Sequence, residues 1–180
     1  MSRNRAIGFP PLADEQARVL VVGSMPGRAS LTAAQYYAHP RNAFWPILSA
    51  ICGVPPTASY ERRLAALRSH GIALWDVLHA CVRPGSLDAD IDETTIVVND
   101  FAAFLAAHPR VRTVLCNGGK AFASWRRHVQ PTLSHVELTV RQLPSTSPAH
   151  AARTVADKLA RWRAAIAGAG APSRSGDVSC

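Results

Sequence analysis

Two short polar segments near the N-terminus carry residue types that suit a flat polar ring beside a phosphate. The first, GSMPG at residues 23–27, follows an apolar run, and its two glycines let backbone amides approach a ligand without interference from a Cβ atom. The second, HPRNAFW at residues 39–45, places the amide of Asn42 and the aromatic face of Phe44 within three positions. The pair predicts a site for a polar heterocycle.

Other known motifs and alternative interpretations were compared with GSMPG and with the later polar segments. GSMPG fits neither the dinucleotide fingerprint nor the triphosphate-binding loop, and a plain strand-to-helix turn is the alternative. Ser145, Ser147 and His150 would suit a serine hydrolase, but the chain has no GxSxG elbow. Residues 117–120 follow a strand and open a helix, as a phosphate cradle does, although Lys120 suits a solvated helix face equally well.

Composition restricts the class of protein. The chain has 180 residues, of which 48% are hydrophobic and 18% charged, as in a globular domain. Twenty Lys and Arg against twelve Asp and Glu give a net charge of +8, which favours a polyanion such as nucleic acid, with a generally arginine-rich composition as the alternative. We see no secretory signal and no apolar run near the ~20 residues of a membrane helix. The cysteines form no CxxC pair, so we expect free thiols, no metal and a cytoplasmic protein.

Hydrophobic periodicity predicts strands that alternate with helices. Predicted strands cover residues 17–23, 71–77, 111–117 and 135–143. Predicted helices cover residues 31–37 capped by Ser30, 46–52 opened by Pro46, 60–70 capped by Ser59, 98–108 opened near Asn99 or Asp100, 120–129 and 149–167. Residues 83–94 lack apolar periodicity and are predicted to form a loop.

This alternation predicts an α/β fold, a three-layer sandwich with a short, mostly parallel four-stranded sheet flanked by helices. Ligands of such sheets lie beyond the carboxyl ends of the strands. That rule brings the loops at residues 23–27, 75–76, 117–119 and 144–148 to one edge. We expect residues 1–168 to form a single domain and residues 169–180 to form a flexible tail.

Five motifs in this order and spacing, GSMPG, HPRNAFW, GIALWDVL, LCNGGKAF and LPSTSPAH, resemble the uracil-DNA glycosylase superfamily. The resemblance covers about residues 18–159 and is greatest to the hypoxanthine-DNA (deoxyinosine) glycosylase branch, near the mismatch-specific branch. It implies an α/β fold, no cofactor, and hydrolysis of the bond between a flipped base and its deoxyribose. The implied partner is DNA that contains a deaminated base, and we expect a monomer.

Two positions depart from the superfamily pattern. In the mismatch-specific branch, the third residue of the first motif is an Asn that orients the attacking water; here it is Met25, which can neither hold nor polarise water. The His that usually leads the last motif is Leu143. The resemblance then assigns the water to Asn42 as a catalytic residue. A helix cap is the alternative for Asn42, and Pro46 disfavours it by predicting a helix start about three residues later.

Asp76 falls where classical uracil glycosylases carry the Asn that reads the base edge. An ionised Asp76 would accept a hydrogen bond from the N–H of hypoxanthine or uracil, while backbone amides serve the neighbouring carbonyl oxygen. A protonated Asp76 would donate instead, as some buried carboxyls do. A strand-end Asp that caps the next turn is the alternative.

The resemblance also implies contacts to the base and to DNA. Phe44 is the expected stacking face, with Tyr36, Tyr37 or Trp75 as the opposite wall and core packing as the alternative for each ring. The remaining base-binding residues are Gly23, Ser24, Met25, Pro26, Gly27 and Asn117. The expected DNA-binding residues are Ser30, Gly118, Gly119, Lys120, Ser145, Thr146, Ser147, Pro148 and His150. Four arginines are candidates for contacts to the DNA backbone, with ordinary exposed charges as the alternative: Arg126, Arg127, Arg153 and Arg161.

Together these features predict a monofunctional DNA glycosylase that removes a deaminated base, hypoxanthine in preference, since mismatched bases cost least to extrude. One alternative is a uracil or mismatch-specific glycosylase. The other is a non-catalytic module that binds damaged DNA, which the losses at Met25 and Leu143 favour. No lysine is placed to form a Schiff base, so we expect no lyase activity.

Overall fold

The computed structural model describes residues 5–169, in which short apolar runs form strands and the segments between them form helices. In chain order the elements are β1 (Arg5–Ile7), β2 (Val19–Gly23), α1 (Arg28–Ala33), α2 (Phe44–Cys52), α3 (Tyr60–Ser69), β3 (Ile72–Asp76), β4 (Leu78–Val82), β5 (Asp92–Val98), α4 (Phe101–Ala107), β6 (Thr113–Asn117), α5 (Gly119–Ser124), β7 (Thr139–Leu143) and α6 (Val155–Ala169). Short turns of π-helix and 3₁₀-helix extend α5 over Trp125–Val129 and Gln130–Leu133.

Strands β2, β3, β6 and β7 form a central sheet in the order β3-β2-β6-β7. All three pairs are parallel. Gly23 pairs with Asp76, and Asn117 pairs with Leu143, so the carboxyl ends of the four strands share one edge. The predicted α/β fold with a four-stranded sheet is confirmed, and the sheet is wholly rather than mostly parallel.

Successive side chains of each strand face opposite sides of the sheet, which gives two apolar cores. On β2, Leu20 and Val22 face the core that contains Phe101 of α4. Val19 and Val21 face the other core, which α2, α3 and α6 cover. The predicted three layers therefore arise from strands that are apolar on both faces.

A second sheet, which the periodicity does not predict, pairs β1, β4 and β5 in antiparallel fashion. The predicted loop at residues 83–94 is wrong over its last three residues, because β5 begins at Asp92. This strand starts with four polar residues, three of them exposed. Of its apolar residues, Ile96 and Val98 are only partly buried and Val97 is exposed, so it lacks the pattern of a half-buried strand.

Helices α1 and α6 begin at residues other than those predicted. Helix α1 begins at Arg28 after Gly27, so Ser30 lies inside the helix and does not cap it; its Oγ accepts a hydrogen bond from the Ala38 N–H at 3.1 Å. Helix α6 begins at Val155 rather than near Ala149. Thr154 provides the cap, because its Oγ1 accepts from the Asp157 N–H at 3.1 Å.

The predicted cap of α3 is confirmed, and the cap of α4 is Asp100, one of the two residues near which its start was predicted. Ser59 Oγ accepts from the Arg62 N–H, and Asp100 Oδ1 accepts from the Ala103 N–H. The predicted tail at residues 169–180 lies outside the described residues except for Ala169, which ends α6. Within residues 5–169, no helix combines the length and the apolar character needed to cross a membrane.

Trp162 anchors α6 to the rest of the fold, because it is fully buried and its Nε1 donates to the Pro144 carbonyl at 3.1 Å. We expect Trp162→Ala to lower the free energy of unfolding by about 3–5 kcal/mol through the cavity that it leaves. Urea denaturation measures this loss. The matched control is Val155→Ala on the same helix, where the side chain is 52% exposed and a change of no more than about 0.5 kcal/mol is expected. Equal midpoints for the two variants would contradict the prediction.

Candidate active site

A cavity of about 580 Å³ opens at the edge where the parallel strands end. Its lining consists of residues 23–30, Tyr36, Tyr37, His39, Arg41, Asn42, Asp76, residues 86–89, Asn117 and residues 145–150. The structure therefore brings the predicted turn after β2, the end of β3, Asn117 and the loop after β7 into one wall, with Asn42 and Asp76 in the same cavity. A cavity of this size at this position is a typical ligand site of an open parallel sheet.

Asp76 fits at the end of β3 because its neighbour Gly23 has no side chain. A Cβ atom on Gly23 would lie 2.4 Å from Asp76 Oδ1 and 3.1 Å from the Tyr37 hydroxyl. The first distance is far inside van der Waals contact, so the glycine makes room for both polar groups. The sequence predicts that Gly23 lets backbone amides approach a ligand; the groups that approach it in the structure are the Asp76 carboxyl and the Tyr37 hydroxyl.

The Asp76 carboxyl is 3% exposed, and its Oδ2 has no hydrogen-bond partner among the described residues. The pKa of Asp76 is raised from the ordinary value of 3.8 to about 7. Burial is the largest cause of this rise, the nearby Asp88 carboxylate adds to it, and the Arg83 guanidinium opposes it. The residue can therefore present either a carboxylic acid or a carboxylate to the cavity near neutral pH.

The turn after β2 is tied to the segment after β4. Ser24 Oγ donates to Asp88 Oδ1 at 2.6 Å, and the buried Arg83 donates from Nη2 to the Pro26 carbonyl. These bonds fix the turn, so the Ser24 hydroxyl is already engaged with Asp88. The hydrophobic periodicity does not predict β4. It therefore gives no indication that the chain returns after β4 to this edge of the central sheet, where Arg83 and Asp88 lie.

Asn42 lies just before α2, and its Oδ1 accepts from the Phe44 N–H at 2.9 Å. The helix begins at Phe44, so the argument that Pro46 separates Asn42 from the helix start is wrong. Proline is tolerated at the third helical position because the N–H there has no partner within the helix. The amide still lines the cavity, and Oδ1 retains a second lone pair.

The aromatic wall of the cavity is Tyr37 rather than Phe44. Phe44 is fully buried and does not line the cavity, whereas Tyr37 does. The two rings stack with centroids 3.8 Å apart and an angle of 18° between their planes. Phe44 was expected to be the stacking face, with Tyr37 as one candidate for the opposite wall; in the structure Phe44 packs against the ring of Tyr37, and Tyr37 lines the cavity. The Tyr37 hydroxyl is buried without a hydrogen-bond partner among the described residues.

Trp75 also lies away from the cavity. Its ring packs against Phe101 and Phe104, with centroids at 4.8 and 5.2 Å, and its Nε1 donates to the Phe9 carbonyl. The structure therefore gives Trp75 the core position that was the alternative for each aromatic residue. Tyr36 does line the cavity, although its hydroxyl donates to the Pro10 carbonyl at 3.2 Å.

Asn117 braces the loop after β7. Its Nδ2 donates to Thr146 Oγ1, and its Oδ1 accepts from the Thr146 N–H, each at 2.9 Å. The Thr146 carbonyl in turn accepts from the Ala43 N–H at 3.0 Å. Both ends of the Asn117 amide are engaged, and Thr146 is only 1% exposed, so this pair holds the loop in place rather than presenting free polar groups.

The predicted phosphate cradle does not reach the cavity. Gly118, Gly119 and Lys120 are absent from its lining, and Lys120 forms an ion pair with Glu93 of β5. Gly118 has a structural use instead. Its φ of +98° and the Ser145 Cβ, which would lie 2.8 Å from an added Cβ, leave room for glycine alone.

Polar and basic residues surround the mouth of the cavity. The cavity lining includes five of the residues predicted to contact DNA: Ser30, Ser145, Ser147, Pro148 and His150. The Oγ of Ser30 is already engaged, because it accepts from the Ala38 N–H. Arg28, His39 and Arg41 line it as well and were not predicted. The remaining arginine candidates, Arg126, Arg127, Arg153 and Arg161, are exposed residues outside the cavity lining.

Comparison with known proteins gives consistent matches. A sequence profile described as the Uracil DNA glycosylase superfamily matches residues 10–167. A protein of Methanosarcina barkeri named hypoxanthine DNA glycosylase is 35% identical over 160 residues, which is 88% of this chain and 96% of the relative. Its namesake in Methanosarcina acetivorans is 34% identical over 158 residues, 87% and 95% of the two chains. The solution NMR structure of a candidate uracil DNA glycosylase from Methanosarcina acetivorans matches with a TM-score of 0.77 and 31% identity over 92% of this chain and 98% of that one.

The contact between Gly23 and Asp76 can be tested by adding one methyl group. We expect Gly23→Ala to lower the free energy of unfolding by about 1–3 kcal/mol, because the new Cβ must displace the carboxyl or the Tyr37 hydroxyl. Thermal or urea denaturation measures the change. Gly27→Ala is the matched control on the same turn, since its Cβ would meet Ser86 Oγ at an ordinary 3.6 Å. A loss in Gly27→Ala as large as in Gly23→Ala would contradict this account.

The raised pKa of Asp76 predicts a pH-dependent stability. Between about pH 4 and pH 7 the folded protein binds a proton at Asp76 that the unfolded chain releases, so this residue lowers stability as the pH rises through that range. Asp76→Asn cannot ionise. The free energy of unfolding of the variant minus that of the wild type should therefore increase from pH 5 to pH 8, as measured by urea denaturation at both values. A difference independent of pH would show that the carboxyl titrates normally.

Proposed function

The chain belongs to the uracil DNA glycosylase superfamily, and from this membership we propose that it is a monofunctional DNA glycosylase that releases a deaminated base, hypoxanthine in preference, in base-excision repair. The relatives named hypoxanthine DNA glycosylase support the choice of base, since each aligns with this chain over nearly its whole length. The observation that carries the proposal is that Asn42 and Asp76 line the same cavity.

A target base must leave the duplex before its glycosidic bond can be reached. The cavity of about 580 Å³ has room for one extruded nucleobase and its sugar. In this proposal the base lies on the ring of Tyr37, which Phe44 holds from behind. Stacking of a base on an aromatic side chain contributes roughly 1–3 kcal/mol.

Asp76 would read the edge of the base. Hypoxanthine presents an N–H beside a carbonyl oxygen, and a neutral carboxylic acid can accept from the first while donating to the second. The unpartnered Oδ2 and the pKa of about 7 support this role. The same donation would stabilise negative charge on the departing base, which Leu143, buried and outside the cavity lining, cannot do.

Asn42 would position the attacking water. As the bond between the sugar C1′ and the base nitrogen breaks, its electron pair leaves with the base, and the oxocarbenium-like sugar accepts the water oxygen. The water gives up a proton, and the base gains one from solvent. The bond from the Phe44 N–H orients Asn42 Oδ1 and leaves one lone pair to accept from the water.

The placement of the lysines supports hydrolysis without lyase activity. Lys120 is paired with Glu93, and Lys158 is 5% exposed with its Nζ bound to the His150 carbonyl. Neither lines the cavity, so no lysine amine is available to attack the sugar. The reaction also needs no cofactor.

Contacts to the DNA backbone would come from the mouth of the cavity. Arg28 and Arg41 supply positive charge there, and Ser145 and Ser147 supply hydroxyls, on a chain of net charge +8. We further propose that residues 1–168 act as one domain and as a monomer. The free thiols of Cys52, Cys81 and Cys116 fit a reducing compartment such as the cytoplasm.

Base release from defined DNA tests this function. Duplexes that contain hypoxanthine, uracil or xanthine are incubated with the protein, and abasic sites are cleaved by alkali and counted. We propose that hypoxanthine is released fastest. Faster release of uracil would transfer the assignment to a uracil glycosylase, and no release from any duplex would overturn the enzyme assignment.

Asn42→Ala is expected to slow base release by a factor of about 100 or more under single-turnover conditions, since it removes the group that holds the water. Asn42→Asp is the matched variant, because its carboxylate still accepts from the Phe44 N–H and from water, and it should retain more activity. Affinity for the DNA should change little in either variant. The alternative is a non-catalytic module for damaged DNA, which the losses at Met25 and Leu143 favour. In that case the wild type releases no base but binds damaged DNA tightly and in a salt-sensitive way, and Asn42→Ala leaves this binding unchanged.

A further inference from the structure

Two buried polar groups lie side by side where β2 and β3 end, and neither has a hydrogen-bond partner among the described residues. They are Asp76 Oδ2 and the Tyr37 hydroxyl. A Cβ atom on Gly23 would meet the Asp76 carboxyl, through Oδ1, at 2.4 Å and the Tyr37 hydroxyl at 3.1 Å, so the two side chains are neighbours across a residue that has none. Buried polar groups normally have partners, so this pair indicates that a ligand completes it.

The Tyr37 hydroxyl is held in place and keeps its proton. Its ring stacks on the buried Phe44 with centroids 3.8 Å apart, which fixes where the hydroxyl lies. Burial, and after it the neighbouring Asp76 carboxylate, raises the pKa of this hydroxyl well above its ordinary value, and the Asn117 side chain opposes the rise. The hydroxyl is therefore an O–H donor beside a carboxyl around neutral pH.

A neutral carboxylic acid does not by itself distinguish a deaminated base from its parent. Hypoxanthine presents an N–H beside a carbonyl oxygen, whereas adenine presents a ring-nitrogen acceptor beside an amino group. The acid can pair with either edge, because moving its proton from one carboxyl oxygen to the other exchanges the donor and the acceptor. If Asp76 reads the base, the choice of base depends on which of its oxygens carries the proton.

We propose that the Tyr37 hydroxyl fixes this proton on Asp76 Oδ2 and thereby makes the site reject adenine. This inference rests on the proposed function. When a base fills the cavity, the hydroxyl donates to Oδ1, which favours Oδ1 as the carbonyl oxygen and leaves the proton on Oδ2. Oδ1 then accepts from the N–H of hypoxanthine through its second lone pair, and Oδ2 donates to the base carbonyl.

Adenine fails at both points of this arrangement. Its amino group would face the proton on Oδ2, and the lone pair of its ring nitrogen would face Oδ1, so two desolvated polar groups of Asp76 would stay unpaired. A site built for one pattern of donors and acceptors rejects the opposite pattern for this reason. The Tyr37 hydroxyl is thus a positioning group that determines specificity through Asp76, without touching the base edge itself.

Binding to two DNA strands that differ in one base tests this role. Each single strand carries one 2′-fluoro nucleotide, which resists cleavage of the glycosidic bond, with either hypoxanthine or adenine as its base. Fluorescence anisotropy gives the two affinities, and the wild type is expected to prefer hypoxanthine. Tyr37→Phe keeps the ring and removes only the hydroxyl, so we expect the preference to fall about tenfold, which is the effect of one hydrogen bond.

Two further variants separate this role from a general structural effect. Tyr60→Phe makes the same chemical change outside the cavity lining, where the hydroxyl accepts from the Tyr36 N–H at 3.0 Å, and it should keep the preference. Asp76→Ala should lose the preference, and adding Tyr37→Phe to it should change nothing more, because the hydroxyl acts through the carboxyl. An equal fall in Tyr60→Phe, or a further fall in the double variant, would overturn the inference.

Release of hypoxanthine from the corresponding natural strand separates this inference from the proposed function. If the wild type releases the base and Tyr37→Phe keeps the preference in binding, the role of the hydroxyl is overturned and the glycosylase proposal stands. If the wild type releases no base, the proposed function fails and the affinities decide alone. A preference for hypoxanthine that Tyr37→Phe loses then supports the inference, whereas equal affinities in the wild type overturn it.

Discussion

The burial of the Asp76 carboxyl beside Gly23 is the constraint on which the site depends. The carboxyl reaches this strand end only because residue 23 has no side chain, and burial there makes its charged form costly. Asp88 adds to that cost and Arg83 reduces it, and both lie in the segment that follows β4. The segment that joins β4 to β5 therefore influences the protonation of a residue in the central sheet.

The loop after β7 depends on a second set of contacts, and none of them involves a reactive group. Asn117 of β6 binds Thr146 twice, the Ala43 N–H binds the Thr146 carbonyl, and Trp162 of α6 binds the Pro144 carbonyl. Three separate elements thus hold one short loop against the cavity. Such bracing limits the positions that the lining residues can adopt, which is what preorganised binding requires.

Three strands of the central sheet, β2, β3 and β6, could be predicted from sequence because they are buried on both faces and appear as short apolar runs that end in Gly, Asp or Asn. The fourth, β7, is largely exposed and was predicted from its alternation of apolar and polar residues. The same runs indicated which loops meet. The antiparallel sheet could not be predicted, since β5 is largely exposed and opens with polar residues. Asn42 and Asp76 were identified as candidates because they are polar residues within the HPRNAFW and GIALWDVL motifs. The choice between Phe44 and Tyr37 depended on a backbone conformation that no sequence pattern indicates for a tyrosine.

That conformation has a consequence for how position 37 is maintained. Tyr37 has a φ of +54°, in the left-handed region that costs a residue with a Cβ atom about 1–2 kcal/mol. Glycine or asparagine would adopt it more easily, but neither would offer a broad surface on which a base could lie. The packing of the ring on Phe44 opposes that strain, so glycine or asparagine at position 37 would relieve the backbone and at the same time remove both the stack and the aromatic wall of the cavity.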